Sequence, residues 1–381
     1  MSERSPHILV SLIGDVFREP AAQVKYGHFI RALEHEYQVS VCDGSMRGLA
    51  RIWNGLSVFH PDLKQWKERF YQNLAAFRSR SWKVSRFLKA HKGNYDLILQ
   101  IGVLFDSTYF QSDVPLVIYT DYTSQLSRTR AGQGRSPLSI ADFKKWFAYE
   151  QIVFHKAVHI FTRGSHVRES ILQDYDIPAD RVTAVGGGVN FEKLPVLKSK
   201  EGRDRPAVLF IGKDFCRKGG DRAVAAFQQV RKRVPEARLI LVTSLPAIFT
   251  GDLSGIQIVE PTWDRGKIRS LYEEADCFIL PSRLESWGDV LLEAMAYGLP
   301  CIGVNDEAMA DIIVHEETGL LAVPGDVNSL TNALEVVLTN PAAQEKYGRA
   351  GRRRVEAHFT WENVIERMKP KITEVFEVFC G

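Results

Sequence analysis

Along the first half of the chain, short apolar runs alternate with segments whose apolar residues recur at helical spacing. The helical segments include residues 22–35, 143–157 and 165–174. The apolar runs have the length and β-branched content of buried strands. These runs lie at residues 7–13, 37–42, 95–101, 115–119, 158–162 and 181–185. Such alternation predicts a parallel sheet with helices on both faces.

The alternation restarts after a polar segment, residues 198–205, which has the composition of a connector between domains. Helices are then predicted at residues 222–234, at 267–274 and from Gly288, with a mostly helical tail from Asn328. Strands are predicted at residues 207–211, 238–242, 257–259, 277–280 and 301–304. The pattern predicts an α/β protein of two Rossmann-like, doubly wound domains, residues 1–197 and 206–360.

Composition limits the classes of function. The chain has 381 residues, enough for two domains, and its formal net charge of +3 indicates no general nucleic-acid partner. Its five cysteines are scattered and form no metal-binding motif, which predicts reduced thiols and a cytoplasmic protein. No apolar run reaches the ~18 residues that a transmembrane helix needs.

Positive charge is concentrated in residues 64–92, which hold nine Lys or Arg and one Glu among interleaved aromatic residues. One interpretation is an amphipathic helix with aromatic residues towards the core and charges in water. Another is a patch that rests on an anionic membrane, the inner face of the plasma membrane, where each basic residue adds ~1 kcal/mol. Nucleic-acid binding ranks third, because no reading motif accompanies the patch.

One strand-to-helix connection contains two glutamates. Pro281-Ser282 ends the predicted strand, Gly288 opens an apolar helix, Glu285 lies on the loop and Glu293 lies inside the helix. Acidic residues there could serve only to complement the helix dipole. However, open α/β sheets bind ligands at the carboxyl ends of their strands. Helix amides suit a phosphate and carboxylates suit sugar hydroxyls, so the connection predicts a sugar-nucleotide site.

A second loop, within residues 210–220, also follows a predicted strand. Gly212 lets the backbone approach a ligand, and Lys213, Arg217 and Lys218 supply positive charge. The loop is neither a P-loop nor a dinucleotide fingerprint. Alone it could be a solvated turn, but beside the glutamate loop it predicts a diphosphate site.

Together these loops resemble the donor site of the retaining family 4 glycosyltransferases, which belong to glycosyl transferases group 1. The resemblance rests on Gly212-Lys213, Arg217-Lys218-Gly219, Glu285 and Glu293, and covers most of residues 150–360. It implies the GT-B fold, with two domains facing a cleft. The first domain would bind the acceptor, the second the donor, and a C-terminal helix at about 361–381 would cross back to the first domain.

The resemblance also implies roles for residues. Lys218 and Lys213 would hold the diphosphate, Glu293 the ribose hydroxyls and Glu285 the hexose. No metal or other cofactor is implied, so the cations themselves would neutralise the leaving diphosphate. Retention of configuration suggests front-side attack without a side-chain nucleophile. The predicted donor-binding residues are Gly14, Gly212, Lys213, Arg217, Lys218, Trp263, Arg283, Leu284, Glu285, Trp287, Gly288, Asp289, Val290 and Glu293.

Three positions depart from the family pattern. Gly14 is a single glycine where many members have a Gly-Gly pair, and nearby Asp15 is a candidate for the cleft. Asp121 lies where members often have His and could contact hexose or acceptor. Asp289 replaces an apolar residue, either to favour the helix dipole or to tune sugar choice.

The sequence therefore predicts a metal-independent hexosyltransferase of polysaccharide biosynthesis, with UDP-glucose as donor and a saccharide or lipid-linked saccharide as acceptor. Its predicted catalytic residues are Lys218, Glu285, Asp121 and Asp15. A sugar-nucleotide epimerase or phosphorylase of the same fold, and a non-catalytic nucleotide-binding protein, remain alternatives.

Overall fold

The chain divides into two units in the computed structural model, which describes residues 5–110, 112–130, 133, 137–197, 205–247 and 249–380. The first unit contains Met1–Gly186 together with Val364–Gly381, and the second contains Gly187–Asn363. The predicted connector at 198–205 lies outside the described residues except for Arg205.

The first unit is built on a sheet of six parallel strands in the order β2-β1-β3-β4-β5-β6. Its elements are β1 (His7–Leu12), α1 (Pro20–Glu36), β2 (Gln38–Asp43), α2 (Gly48–Ser57), α3 (Leu63–Tyr71), α4 (Leu74–Ala90), β3 (Leu97–Ile101), β4 (Leu116–Thr120), α5 (Ser124–Thr129), α6 (Ile140–Lys156), β5 (His159–Thr162), α7 (Ser165–Asp174) and β6 (Val182–Ala184).

The second unit also has six parallel strands, in the order β12-β11-β10-β7-β8-β9. Its elements are β7 (Ala207–Asp214), α8 (Gly220–Arg231), β8 (Arg238–Ser244), β9 (Ile256–Val259), α9 (Arg265–Glu274), β10 (Cys277–Ile279), α10 (Asp289–Ala296), β11 (Cys301–Val304), α11 (Glu307–Ile312), β12 (Gly319–Ala322), α12 (Val327–Thr339) and α13 (Pro341–His358); α14 (Trp361–Cys380) follows.

The central strands are apolar on both faces because helices cover both sides of each sheet. In β4 every residue is buried, and in β1 only the first residue is not fully buried. The prediction of two doubly wound parallel-sheet units is therefore confirmed.

Most of α14 belongs to the first unit, as the prediction of a returning C-terminal helix requires. Its Met368 and Ile372 are fully buried. Arg367 donates a hydrogen bond of 2.9 Å to the Val185 carbonyl, and Lys369 lies 2.6 Å from the carboxylate of Glu36. Apolar burial and these polar contacts together fix the helix to the unit that contains the start of the chain.

The basic segment at 64–92 is two helices rather than one amphipathic helix. A new helix begins after Asn73 because the Asn73 side chain caps α4, accepting a hydrogen bond of 2.8 Å from the Ala76 amide. Tyr71 and Trp82 are 44% and 48% exposed, so the aromatic residues do not all face the core. Among the described residues, no helix combines the length and apolar character that a membrane crossing requires.

A buried carboxyl group lies between three helices of the first unit. Glu150 on α6 accepts a hydrogen bond of 3.0 Å from the Ser124 amide, and further hydrogen bonds from the hydroxyls of Ser124 and Tyr175. Burial raises the pKa of Glu150 to about 7, although the hydrogen bonds from Ser124 and Tyr175 act in the opposite direction. The folded chain therefore holds a proton that the unfolded chain releases in mildly acidic solution.

Replacing Glu150 with Gln is expected to flatten the pH dependence of stability. A carboxyl whose pKa is raised by folding makes the free energy of unfolding fall as pH rises from about 4.5, its unfolded value, to about 7. Urea unfolding across that range measures the slope, which should be shallower in Glu150→Gln than in the wild type. Glu34→Gln, at an exposed position on α1, is the control. Equal slopes in both variants would contradict the assignment.

Candidate functional site

Two loops of the second unit meet where the strand order reverses. β7 and β10 are neighbours in the sheet, although β8 and β9 lie between them in the chain. The connections that follow them therefore leave the same edge of the sheet in different directions, which is where open α/β sheets bind ligands. The Arg283 amide donates a hydrogen bond of 2.8 Å to the Arg217 carbonyl and so joins the two loops.

The junction requires a glycine at position 219. Gly219 has φ of +75°, and a Cβ atom there would lie 2.0 Å from the carbonyl oxygen of Pro281. Both the backbone conformation and the contact exclude a larger residue. Gly219 also caps α8, so the same residue starts the helix and brings the loops together.

Lys218 and Glu285, one from each loop, form an ion pair at this junction. Their side chains are only 16% and 6% exposed. The sequence predicted that both would contact a ligand, and the structure brings them into contact with each other. An ammonium has three donors and a carboxylate about four acceptor positions, so their mutual contact does not exhaust the hydrogen-bonding capacity of either group.

The loop that carries Glu285 is held by a residue that the sequence analysis missed. The Glu307 carboxylate accepts a hydrogen bond from the Glu285 amide. Glu307 begins α11 with φ of +46°, an uncommon conformation for a residue other than glycine. The signal was available, because Glu307 lies shortly after the predicted strand 301–304 and hence at the same edge of the sheet.

Arg217 and Arg283 hold the loops in place. The Arg217 guanidinium donates to the Leu284 carbonyl at 3.1 Å. Arg283 forms a two-pronged ion pair with Asp221, with both contacts at 2.6 Å. Burial alone would raise the pKa of Asp221, but the hydrogen bonds and charge of Arg283 outweigh burial and lower it. These contacts position the loops. A role in donor binding stays a prediction for Arg217, Arg283 and Leu284.

Glu293 lies inside α10 and forms a second buried carboxylate centre. Arg265 contacts it at 3.0 Å, and the Tyr272 hydroxyl donates to its other oxygen at 3.0 Å. Burial raises the pKa of Glu293, and the charge of Arg265 opposes this effect. Sequence analysis missed Arg265 and Tyr272, because neither stands in a motif and both reach Glu293 from the neighbouring helix α9.

The start of α10 is closely packed. Gly288 has φ of +150°, and a Cβ atom there would lie 3.1 Å from Ile312 and Leu291 side-chain atoms. Trp287 is 2% exposed, and its indole nitrogen has no hydrogen-bond partner among the described residues. A Cβ atom on Gly187 would lie 2.8 Å from that nitrogen. Asp289 and Val290 form the first turn and are partly buried.

The remaining predicted donor-binding residues of this unit are either exposed side chains or a glycine that allows close packing of the backbone. Lys213 is exposed at the end of β7, and Trp263 is 65% exposed before α9. Gly212 accepts a hydrogen bond of 2.6 Å on its carbonyl from the Thr243 hydroxyl. A Cβ atom at 212 would lie 2.7 Å from the Lys218 Cβ, so this glycine makes room for the lysine.

Three predicted residues lie in the first unit, near the carboxyl ends of its strands. The Gly14 amide donates to the Asp43 carboxylate at 3.1 Å and to the Ser45 hydroxyl at 3.0 Å. Asp15 pairs with Arg47 at 3.1 Å. The Gly14 amide is therefore engaged within its own unit. Asp121 follows β4, is partly buried and interacts electrostatically with Lys25.

We expect Gly219→Ala to separate the two loops. The new methyl would collide with the Pro281 carbonyl, so the free energy of unfolding should fall by about 3 kcal/mol or more. The matched control is Gly93→Ala, because Gly93 has φ of +83° with nothing within 4 Å of its Cβ position. That variant should lose only about 1–2 kcal/mol, the cost of the backbone conformation. Urea unfolding measures both losses, and equal losses would refute the steric role of Gly219.

A sequence profile described as Glycosyl transferases group 1 matches residues 196–354. Glycogen synthase from Mycobacterium tuberculosis is 26% identical over 260 residues, covering 66% of this chain and 61% of that enzyme. The chain thus spans less than two thirds of the length of that curated relative.

Solved structures share the fold of the chain. Sucrose-phosphate synthase from Thermosynechococcus elongatus matches with a TM-score of 0.71 at 20% identity, covering 98% of this chain and 100% of that one. HepE from Anabaena, solved in complex with UDP-glucose, matches with a TM-score of 0.65 at 14% identity, covering 97% and 100%. The chain has the GT-B fold, and by the profile match its residues 196–354 are a glycosyl transferases group 1 domain.

Proposed function

We propose that this chain is a retaining glycosyltransferase that moves a hexose, glucose from UDP-glucose, to a saccharide or a lipid-linked saccharide. The observation that carries the proposal is the buried Lys218–Glu285 pair at the strand-order reversal of the second unit. It joins the cation that a diphosphate needs to the carboxylate that sugar hydroxyls need.

The donor's charge is matched by groups at the junction. The Lys218 ammonium would contact the diphosphate while it stays close to Glu285, and the first turn of α10 would add its dipole. Each charge-assisted hydrogen bond would contribute about 1.5–3 kcal/mol. As the bond from the sugar to the phosphate breaks, negative charge grows on the diphosphate, and Lys218 stabilises it.

Two carboxylates would divide the recognition of the donor. Glu285 would accept hydrogen bonds from hexose hydroxyls, and Glu293 from the ribose. The Tyr272 hydroxyl already occupies one oxygen of Glu293 and Arg265 the other, so Glu293 is held in one orientation before a donor arrives. The ribose would bind beside Arg265 or displace it, because 41% of the arginine side chain is exposed.

The choice of UDP-glucose draws on the relatives. HepE was solved with UDP-glucose, and the Mycobacterium tuberculosis relative is named glycogen synthase. Because charged side chains of the chain itself supply the neutralising charge, the proposed reaction needs no metal. Front-side attack by the acceptor hydroxyl would pass its proton to the leaving phosphate. Asp15 and Asp121 of the first unit are proposed acceptor contacts.

Lys218→Ala and Glu285→Gln are expected to lower UDP release from UDP-glucose by about tenfold or more each. They should differ in binding: Lys218→Ala weakens UDP itself, whereas Glu285→Gln keeps UDP affinity and loses the contribution of the hexose. Calorimetry with UDP and with UDP-glucose separates these effects.

Lys232→Ala, which removes an exposed cation just after α8, is the matched control. Thermal unfolding of each variant without ligand measures the stability that is lost when one partner of a buried ion pair is removed. Such a removal costs about 3–5 kcal/mol. Folded variants with wild-type turnover would refute the proposed site. If the chain bound UDP but neither the wild type nor any variant released UDP from UDP-glucose, the result would favour a non-catalytic nucleotide-binding protein.

We also propose that residues 64–92 contact the anionic inner face of the plasma membrane from the cytoplasm. Several of their basic residues are exposed on α3 and α4: Lys64, Lys67, Arg78, Arg86 and Lys89. Arg80 is instead buried, and desolvation lowers its pKa to about 10.

Co-sedimentation with phosphatidylglycerol-containing vesicles should decrease as salt rises, because exposed charges are screened within about 10 Å at 0.1 M salt. Vesicles of phosphatidylcholine alone provide the comparison. Equal binding to the two kinds of vesicle, with no dependence on salt concentration, would refute the electrostatic contact.

A further inference from the structure

The helix α2 has its apolar side chains on the outside. Leu49, Ile52, Trp53 and Leu56 recur at the spacing that places side chains on one face of a helix. They are 74%, 58%, 69% and 62% exposed. We call these four residues the α2 stripe. A helix on a globular domain normally turns such a face towards the core, so this orientation calls for a partner.

The opposite face of α2 is the one that packs on the unit. Its buried residues are Asn54 and Gly55. The side-chain amide of Asn54 donates to the Phe70 carbonyl at 3.0 Å, and the Trp66 indole donates to the Gly55 carbonyl at 2.8 Å. The side-chain amide of Asn73 donates to the Asn54 side-chain oxygen at 3.0 Å. These hydrogen bonds fix the rotation of α2, so the stripe cannot turn inward without breaking them.

Charge around the stripe indicates the kind of partner. Residues 44–61 contain Arg47 and Arg51 and no Asp or Glu. Over residues 44–92 there are eleven Lys or Arg against Asp62 and Glu68, a formal balance of 11 − 2 = +9. A second copy of the chain would bring an equally positive surface against this one and be repelled. An anionic bilayer offers both an apolar layer and negative charge.

The position of α2 connects it to the ligand edge of the first sheet. Arg47, which precedes the helix, contacts Asp43 at the end of β2 at 2.9 Å and Asp15 after β1 at 3.1 Å. The loop after β1 also presents Phe17, which is 69% exposed. The stripe therefore lies next to the carboxyl ends of β1 and β2, where a parallel sheet binds its ligands.

We propose that α2 lies in the interface of an anionic bilayer, with the α2 stripe among the acyl chains and the neighbouring Lys and Arg on the headgroups. A helix with one apolar face containing Trp and with basic residues around it binds membranes in this way. Because the ligand edge then faces the membrane, the acceptor is a lipid-linked saccharide rather than a free one. This last conclusion rests on the proposed function, whereas the insertion of α2 does not.

The test compares two double variants of the full chain on vesicles of phosphatidylcholine with phosphatidylglycerol. Ile52→Ser with Leu56→Ser removes two side chains of the stripe. Ile140→Ser with Ile152→Ser removes two exposed aliphatic side chains from α6, where they are 67% and 50% exposed. The stripe variant should bind vesicles about tenfold or more weakly than the wild type, and the α6 variant within about twofold of it. Thermal unfolding should be unchanged in both.

A second measurement locates the stripe in the bilayer. Brominated acyl chains quench indole fluorescence on contact, so the wild type should lose fluorescence on brominated vesicles. Trp53→Phe should keep vesicle binding and lose most of that quenching. High salt should weaken the wild type and the stripe variant by a similar factor, because it acts on the basic residues and not on the apolar contact.

Three results would overturn the proposal: no wild-type binding to anionic vesicles, equal binding of the two double variants, or self-association of the wild type that only the stripe variant abolishes. The last result would assign the stripe to a second copy of the chain. UDP release from UDP-glucose without vesicles should be the same in both variants. A chain that binds vesicles but releases no UDP would refute the proposed function and leave the α2 insertion standing.

Discussion

The second unit depends on a charge pair that the strand order creates. Lys218 and Glu285 are 67 residues apart and meet only because β7 and β10 are neighbours in the sheet. Taking two charges out of water costs several kcal/mol per ion unless each is paired and hydrogen-bonded. The Glu285 amide, the Glu307 carboxylate and the Pro281–Gly219 contact fix that pairing. Much of the rest of the site consists of residues that hold these two loops together.

Three buried carboxyl groups described above differ in their partners. Glu285 and Glu293 each face a cation, Lys218 and Arg265 respectively. Within the part of the chain that the structure describes, the hydrogen-bond donors to Glu150 in the first unit are hydroxyl and amide groups. An acid paired with a cation can keep its charge in a buried place, whereas one with neutral partners is more easily protonated. The paired acids suit ligand recognition, and the other suits a structural junction between α5, α6 and α7.

The sequence predicted the order of strands and helices well because the apolar pattern is strong. The strand at 301–304 was predicted with its observed bounds. The helices α5 and α11 and the strand β12 were not predicted, because each is short and its apolar pattern is weak or interrupted. The helix α2 was also missed. For α2 the pattern of apolar residues is helical, but periodicity does not say which way a face points. The hydrogen bonds of Asn54 and Gly55 decide the direction, and they come from α3 and Asn73.

Residue types at the candidate site were predictable, but their partners were not. Charged and glycine-rich loops after two strands indicated an anion site, and the two loops do meet. That Lys218 would face Glu285 depends on the lateral order of strands, which local patterns do not contain. Arg265, Tyr272 and Glu307 reach the site from other elements, so no single segment revealed them.

The raised pKa of Glu150 has a calorimetric consequence. Near neutral pH the chain takes up a proton from the buffer as it folds, because α5, α6 and α7 close around an acid that water had kept ionised. The heat of folding therefore contains the ionisation enthalpy of whichever buffer supplies that proton. Unfolding enthalpies recorded in phosphate and in Tris would differ for the same protein with the same set of contacts.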